Sequence, residues 1–176
     1  MKLRQLYEAP ATKTVAVMPG GFHPFHPGHK SLYDWAVKQF GQTNVYVAAT
    51  NNQETRPFPF DVKKQLASFA GVPPTNFIQV KSPFNMNSYT GLLDSSTALV
   101  FIRSKKDETE QPLPDKIKKD AQLDVTLKNL GTGTLPEYFT FYDVPMIWRV
   151  DTSHTPRRGR GGRSYSLVNI LLNFIF

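Results

Sequence analysis

Short apolar runs alternate with amphipathic segments along most of this chain. We predict strands at residues 14–18, 45–49, 77–80, 98–102 and 138–144, and helices at residues 30–40, 60–70 and 89–93. Strands of about five residues separated by helices of about ten residues are typical of βαβ units. The alternation therefore predicts an α/β protein, in which a parallel five-stranded sheet is covered by helices on both faces.

Composition narrows the classes of protein to which the chain can belong. Its 176 residues are the size of one domain, and 40% hydrophobic with 20% charged residues is ordinary for a globular protein. The absence of cysteine excludes a disulfide framework, a thiol nucleophile and a cysteine-ligated metal. There is neither a run of 18 apolar residues nor an apolar signal core, so we expect a cytoplasmic protein with no membrane partner.

The positive charge is unevenly distributed. The net charge is +7, and residues 151–176 contribute +3 of it through four arginines and one aspartate. We therefore divide the chain into an N-terminal lead at residues 1–10, a domain at residues 11–150 and a basic, then apolar, tail at residues 151–176. A basic surface favours phosphate-bearing partners, from ATP to RNA, although a simply solvated surface explains the charge equally well.

The loop after the first predicted strand carries the strongest chemical pattern. Three of the four histidines, His23, His26 and His29, lie within seven residues of one another. The flanking glycines let the backbone approach a ligand, and the start of the following helix offers free N–H groups to phosphate. Imidazole N–H groups, whether neutral or cationic, donate to the same oxygens. This loop is therefore predicted to bind phosphate at the carboxyl end of a strand.

The sequence GGFHPFHPGHK in this loop resembles the signature of the HxGH nucleotidyltransferases, a cytidylyltransferase-like superfamily that includes nicotinamide mononucleotide and pantetheine-phosphate adenylyltransferases. The pattern Gly-x-Phe-x-Pro-x-His-x-Gly-His is matched by Gly20, Phe22, Pro24, His26, Gly28 and His29. The resemblance extends from about residue 14 to residue 150. It implies a Rossmann-like, doubly wound sheet.

The resemblance also implies a reaction and a set of site residues. A nucleoside monophosphate, with AMP from ATP favoured, would pass to a phosphorylated acceptor such as nicotinamide mononucleotide, with release of pyrophosphate. His26 and His29 would be catalytic, Arg56 would bind the acceptor, and Mg²⁺ would arrive with the triphosphate, so that no metal site of the protein is expected. The expected nucleotide-binding residues are Gly20, Gly21, Phe22, His23, Gly28, Lys30 and Arg103.

Several of these residues have competing structural interpretations. The three histidines at i, i+3 and i+6 suit zinc poorly, because two prolines and a glycine interrupt them and no cysteine or aspartate completes the set. Phe22 is favoured as a packing residue, and Lys30 and Arg56 are equally well explained as solvated side chains. Lys63 and Lys64 lie where the family often has an arginine, which weakens the match there.

The second signature of the superfamily, close to Ile-Ser-x-Thr-x-x-Arg, has no match in the sequence. Ser95-Ser96-Thr97 fails because Arg103 lies six positions beyond Thr97 instead of three, and the expected place after Val150 is occupied by the tail. Two alternatives therefore stay open: a cytidylyltransferase acting on a phosphorylated alcohol, and a catalytically impaired nucleotide-binding protein. Nucleic-acid binding by the arginines of the tail is the least favoured function, and a homo-oligomer is compatible with the sequence.

Overall fold

The computed structural model describes residues 13–94, 97–110, 112–113, 115, 124–127 and 146–150. The elements in these ranges are β1 (Lys13–Gly20), α1 (Pro27–Phe40), β2 (Val45–Ala49), α2 (Phe60–Phe69), β3 (Phe77–Gln79), β4 (Thr97–Ser104), α3 (Asp107–Glu110), β5 (Asp124–Leu127) and β6 (Met146–Val150). Three single 3-10 turns lie at Gln42–Asn44, Pro74–Asn76 and Met86–Tyr89.

The described strands form one parallel sheet with the order β3-β2-β1-β4-β6-β5. The chain first moves from β1 outward to β3 and then returns to the other side of β1 with β4, which is the doubly wound, Rossmann-like α/β arrangement. The four strands predicted between residues 14 and 102 are confirmed as β1 to β4. The strand predicted at residues 138–144 lies outside the described residues, and β5 and β6 were not predicted.

The two faces of this sheet are covered differently. Helices α1 and α2 pack on one face, where Trp35, Ala36 and Ala67 contact alternate residues of β1, β2 and β4. The segment of residues 80–93 covers the other face and buries Tyr89 against Phe101. Right-handed crossovers explain the division, because two successive steps in one direction place both helices on one face and the return to β4 crosses the opposite one.

The prediction of a short helix at residues 89–93 is wrong. The segment forms a 3-10 turn at Met86–Tyr89 instead, which ends where the predicted helix was to begin. Tyr89 is buried, and its hydroxyl donates to the carbonyl of Pro83, while the Ser88 hydroxyl donates to the carbonyl of Ser82. These contacts fold the segment back on itself, so that side-chain anchoring outweighs the helical periodicity.

The two predicted main helices are confirmed, each with one shifted boundary. Helix α2 ends at Phe69, one residue before the predicted end, whereas α1 begins at Pro27, three residues before the predicted start. No helix in the described ranges combines the length and the apolar character that crossing a membrane requires.

Candidate nucleotide-binding site

A cavity of about 340 Å³ opens at the carboxyl ends of β1 and β4, next to the first turn of α1. This is the point at which the strand order reverses, where ligands bind in open α/β sheets. The predicted site residues that line it are Gly20, Gly21, Phe22, His23, His26, His29, Arg56 and Arg103. The sheet therefore gathers residues from three separate segments of the chain into one site.

The two histidines of the HxGH motif cap helix α1 reciprocally. His26 is the N-cap residue, and its Nδ1 accepts hydrogen bonds from the backbone N–H groups of Gly28 at 3.1 Å and His29 at 3.4 Å. In return, Nδ1 of His29 accepts from the backbone N–H of His26 at 3.2 Å. This is a capping box in which imidazoles replace the usual serine and glutamate. Because both Nδ1 atoms are acceptors, each neutral ring carries its proton on Nε2.

The environment keeps both rings neutral. Burial, together with the charges of His26 and Lys106, lowers the pKa of His29 to about 3. Burial also lowers the pKa of His26, with Lys106 acting in the same direction and Asp107 opposing it. The two rings stack at 3.6 Å between centroids, which further disfavours two adjacent imidazolium ions. At neutral pH the site therefore offers two Nε2–H donors without a full positive charge.

The pH dependence of stability should reveal these caps. Both folded-state pKa values lie below 6.5, the ordinary pKa of histidine, so the unfolded chain binds more protons than the folded one as the pH falls through that value. The free energy of unfolding is expected to be fully maintained above pH 6.5 and to fall as the pH is lowered from 6.5 towards 3. Urea unfolding at several pH values between 7.5 and 5 would measure how steeply the free energy of unfolding changes with pH. A His29→Asn variant with an unchanged slope would contradict this assignment.

The Phe22 ring packs between the histidine loop and the hydrophobic core. Its backbone has a φ of 42°, in the left-handed region, and its ring is 5% exposed. The ring packs against Phe25 at 5.7 Å and Phe77 at 6.1 Å, and its contact with the His29 ring at 5.0 Å is edge-on. Phe22 lines the cavity, but its side chain belongs to the hydrophobic core, which agrees with the packing interpretation.

Arg56 reaches across from the loop after β2 to the glycines after β1. A Cβ atom on Gly21 would lie 1.8 Å from Arg56 Nη1 and 2.2 Å from its Cζ, so the guanidinium occupies the space of a side chain at that position. No carboxylate in the part of the chain that the structure describes forms an ion pair with Arg56. The absence of a side chain at Gly21 thus places an unneutralised cation over the glycine loop.

Arg103, the penultimate residue of β4, lies on the opposite wall of the cavity. It is 6% exposed, and its Cζ lies 5.2 Å from the centroid of the Phe84 ring. Burial lowers the pKa of its guanidinium, an effect that the nearby Asp107 carboxylate partly offsets. Asp107 itself lines the cavity at the start of α3. The wall therefore combines a cation, a carboxylate and an aromatic ring.

The structure does not bring Lys30 or Gly28 into the cavity. The ammonium group of Lys30 forms an ion pair with Asp34 one turn further along α1, at 2.6 Å to Oδ2. The N–H of Gly28 is used to cap His26. Their predicted nucleotide-binding roles stay predictions: Lys30 pairs with Asp34, as the competing interpretation of a first-turn surface lysine expects, and the N–H of Gly28 serves the cap.

His23 lines the cavity next to Phe58, with 4.5 Å between ring centroids, and its buried Nδ1 has no hydrogen-bond partner within the described residues. The described residues contain no cluster of three or more metal-ligating side chains. The zinc interpretation also conflicts with the use of two of the three Nδ1 atoms as backbone caps.

Sequence reasoning missed Thr50 and Phe84, which also line the cavity. Thr50 follows β2 immediately, and its position at the carboxyl end of an inner strand was the available signal. Phe84 belongs to the segment of residues 80–93, and it reaches the site only because that segment crosses the second face of the sheet. No local pattern in the sequence marks it.

Comparison with known families agrees with this geometry. Residues 17–90 match the family model described as cytidylyltransferase-like, a span that includes the second half of β1, the histidine loop, both main helices, β2 and β3. A comparison with curated proteins gives no match. The chain therefore contains, at residues 17–90, a cytidylyltransferase-like domain of the HxGH nucleotidyltransferase superfamily.

Proposed function

We propose that this protein transfers a nucleoside monophosphate, AMP from ATP in the first instance, to a phosphorylated acceptor and releases pyrophosphate. The observation that carries the proposal is the pair of neutral Nε2–H donors at the start of α1. They line a cavity at the switch point of the sheet, where the helix N-terminus already favours phosphate.

The reaction is a single in-line displacement. An oxygen of the acceptor phosphate forms a bond to the α-phosphorus, and the bond from that phosphorus to the oxygen bridging to the β-phosphorus breaks. Negative charge then moves onto the departing pyrophosphate. His26 and His29 donate hydrogen bonds to these oxygens, and Mg²⁺ bound to the incoming triphosphate would neutralise part of their charge.

The two arginines divide the substrates between them in this proposal. Arg103, with Asp107 nearby, serves the nucleotide at the end of β4, where a carboxylate can accept from a ribose hydroxyl. Arg56 serves the acceptor phosphate, for which its planar guanidinium offers two parallel donors. Nicotinamide mononucleotide is one acceptor that meets the requirement for a phosphate group.

Cytidylyl transfer from CTP to a phosphorylated alcohol is the second candidate reaction. The matched family model, cytidylyltransferase-like, favours it. The cavity residues on which the mechanism depends would contact phosphate and ribose, groups that ATP and CTP share. A third candidate, nucleotide binding without turnover, follows from the missing second signature. Its expected position after Val150 lies outside the described residues.

Pyrophosphate release in the presence of Mg²⁺ tests the proposal. ATP and CTP are each offered with a panel of phosphorylated acceptors, and nucleotide binding is measured separately by calorimetry. Release with one nucleotide and one acceptor is the expected result. Nucleotide binding without release from any pair would contradict the proposal and support a protein that binds nucleotides without turning them over.

The role of Arg56 can be tested by two substitutions that act on the same guanidinium. Arg56→Ala removes it, and Gly21→Ala displaces it because the new methyl group takes its place. A hydrogen-bonded charge contributes about 1.5–3 kcal/mol, so both variants should raise the acceptor KM roughly 10- to 100-fold. The KM for the nucleotide should change little in Arg56→Ala. Gly21 is itself an expected nucleotide-binding residue, so only the acceptor KM of Gly21→Ala tests the role of Arg56. An effect confined to kcat would contradict the acceptor-binding role.

A further inference from the structure

A second cavity, of about 720 Å³, adjoins the first at the carboxyl ends of β2 and β3. Thr50 and Arg56 line both cavities, so the two spaces meet at the guanidinium assigned above to the acceptor phosphate. One wall is the loop after β2. The other is formed by Gln79 at the end of β3 and by Val80 and Lys81, which follow it. A group attached to a phosphate on Arg56 can therefore extend into this second cavity.

The uncharged side chains of this cavity are mostly amides and hydroxyls, from Asn51, Asn52, Thr55 and Gln79. Oδ1 of Asn51 accepts from the backbone N–H of Phe60 at 2.9 Å. Oδ1 of Asn52 accepts from the N–H groups of Glu54 at 3.1 Å and Thr55 at 3.4 Å. Because these oxygens bind the backbone, the two asparagines retain their NH₂ groups to offer a ligand. The cavity therefore suits a group that is rich in hydrogen-bond acceptors.

The charged residues that line the cavity are both positive. Arg56 and Lys81 line it, and no aspartate or glutamate does so among the described residues. Lys63 adds a third cation behind the wall: it is fully buried, and its Nζ donates to the carbonyl of Thr50 at 2.8 Å. Burial lowers the pKa of Lys63, and the charge of Arg56 lowers it further. A ligand cation here would meet repulsion without a compensating carboxylate.

We propose that the second cavity holds the part of the acceptor beyond its reacting phosphate, and that this part is polar and carries no positive charge. The substrate class is then a phosphate monoester of a sugar, a polyol or another neutral, hydroxyl- or amide-bearing alcohol. The inference rests on the proposed function, since Arg56 is the anchor from which the acceptor extends. It places such acceptors ahead of nicotinamide mononucleotide, whose pyridinium ring is cationic, and ahead of phosphocholine.

Acceptor selectivity in the pyrophosphate assay tests this assignment. Ribose 5-phosphate and glycerol 3-phosphate represent the proposed class, phosphocholine and nicotinamide mononucleotide the cationic class, and hexyl phosphate the apolar class. We expect kcat/KM for the best neutral polar acceptor to exceed that of every cationic or apolar one by about tenfold or more. Equal or better turnover with a cationic or apolar acceptor would overturn the inference and leave the proposed function intact. No turnover with any acceptor would contradict the proposed function itself, and the inference with it.

A charge reversal at the far wall provides an independent measurement. Lys81→Glu is expected to raise kcat/KM for phosphocholine relative to glycerol 3-phosphate several-fold and to leave the nucleotide KM unchanged. Lys38→Glu makes the same change of charge at an exposed position in the last turn of α1, away from both cavities, and should not alter this ratio. An unchanged ratio in Lys81→Glu, or an equal change in both variants, would overturn the assignment of the cavity.

Discussion

Replacing His29 with alanine is expected to lower kcat about 100- to 1000-fold, which is the usual cost of removing one preorganised donor to a transition-state oxyanion. The nucleotide KM should change much less, because the donor acts on charge that develops during the displacement. Steady-state pyrophosphate release measures both quantities. A variant with unchanged turnover would remove His29 from the mechanism.

Because His29 both caps the helix and faces the cavity, alanine alone cannot separate the two roles. Asparagine places its Oδ1 near the position of Nδ1 and can accept the N–H of His26, whereas glutamine places its Nε2 near the imidazole Nε2 and can donate to a phosphate. We expect His29→Asn to preserve stability but not turnover, and His29→Gln to retain more turnover than His29→Asn. The reverse order would indicate that His29 acts only through the cap.

The second large effect is expected on stability, from Phe22→Ala. The ring is buried against Phe25, Phe77 and His29, and removal of a buried phenylalanine side chain costs about 3–5 kcal/mol. Alanine also carries a Cβ, so the unfavourable positive φ remains in the variant and the loss reports on packing alone. The midpoint of urea unfolding measures it.

Phe69→Ala is the matched control for Phe22→Ala. Phe69 ends helix α2 with 60% of its surface exposed, so the same change of residue type should alter the free energy of unfolding by about 0.5 kcal/mol or less. Similar losses at the two positions would show that Phe22 contributes no more than an exposed phenylalanine. The loop could not then be described as supported by its ring.

The inner strands and main helices could be predicted because the apolar residues that each of them buries are adjacent or regularly spaced in the sequence. Residues 45–49 form a continuous apolar run that is buried on both faces of the sheet, and the prediction matches β2 at both ends. β5 and β6 could not be recognised in this way. Asp124–Leu127 is only four residues long and begins with an aspartate, and pairing with a neighbouring strand, here β6, is a non-local contact.

The site was predictable where one motif contains it, and less so where tertiary contacts assemble it. The histidine loop is continuous in sequence, but the start of α1 was placed late because histidine is not among the usual N-cap residues. The motif alone favours a ligand-binding role for Lys30. Its ion pair with Asp34 forms because α1 begins at Pro27 and places the two residues one helical turn apart. The approach of Arg56 to Gly21 depends on how two loops meet at the edge of the sheet, and spacing along the chain does not encode it.

The side-chain conformational entropy of the stacked, mutually capped histidines is lost when the chain folds and not when a ligand binds. Each ring is held through Nδ1 to the backbone and through its face to the other ring, so its side-chain rotations are already restricted before a nucleotide arrives. The ordering cost falls on the folding of the helix start and is not repeated in each catalytic cycle. In the proposed reaction, turnover would then begin from two fixed dipoles that need not reorient as the phosphorus centre passes from one oxygen to the next.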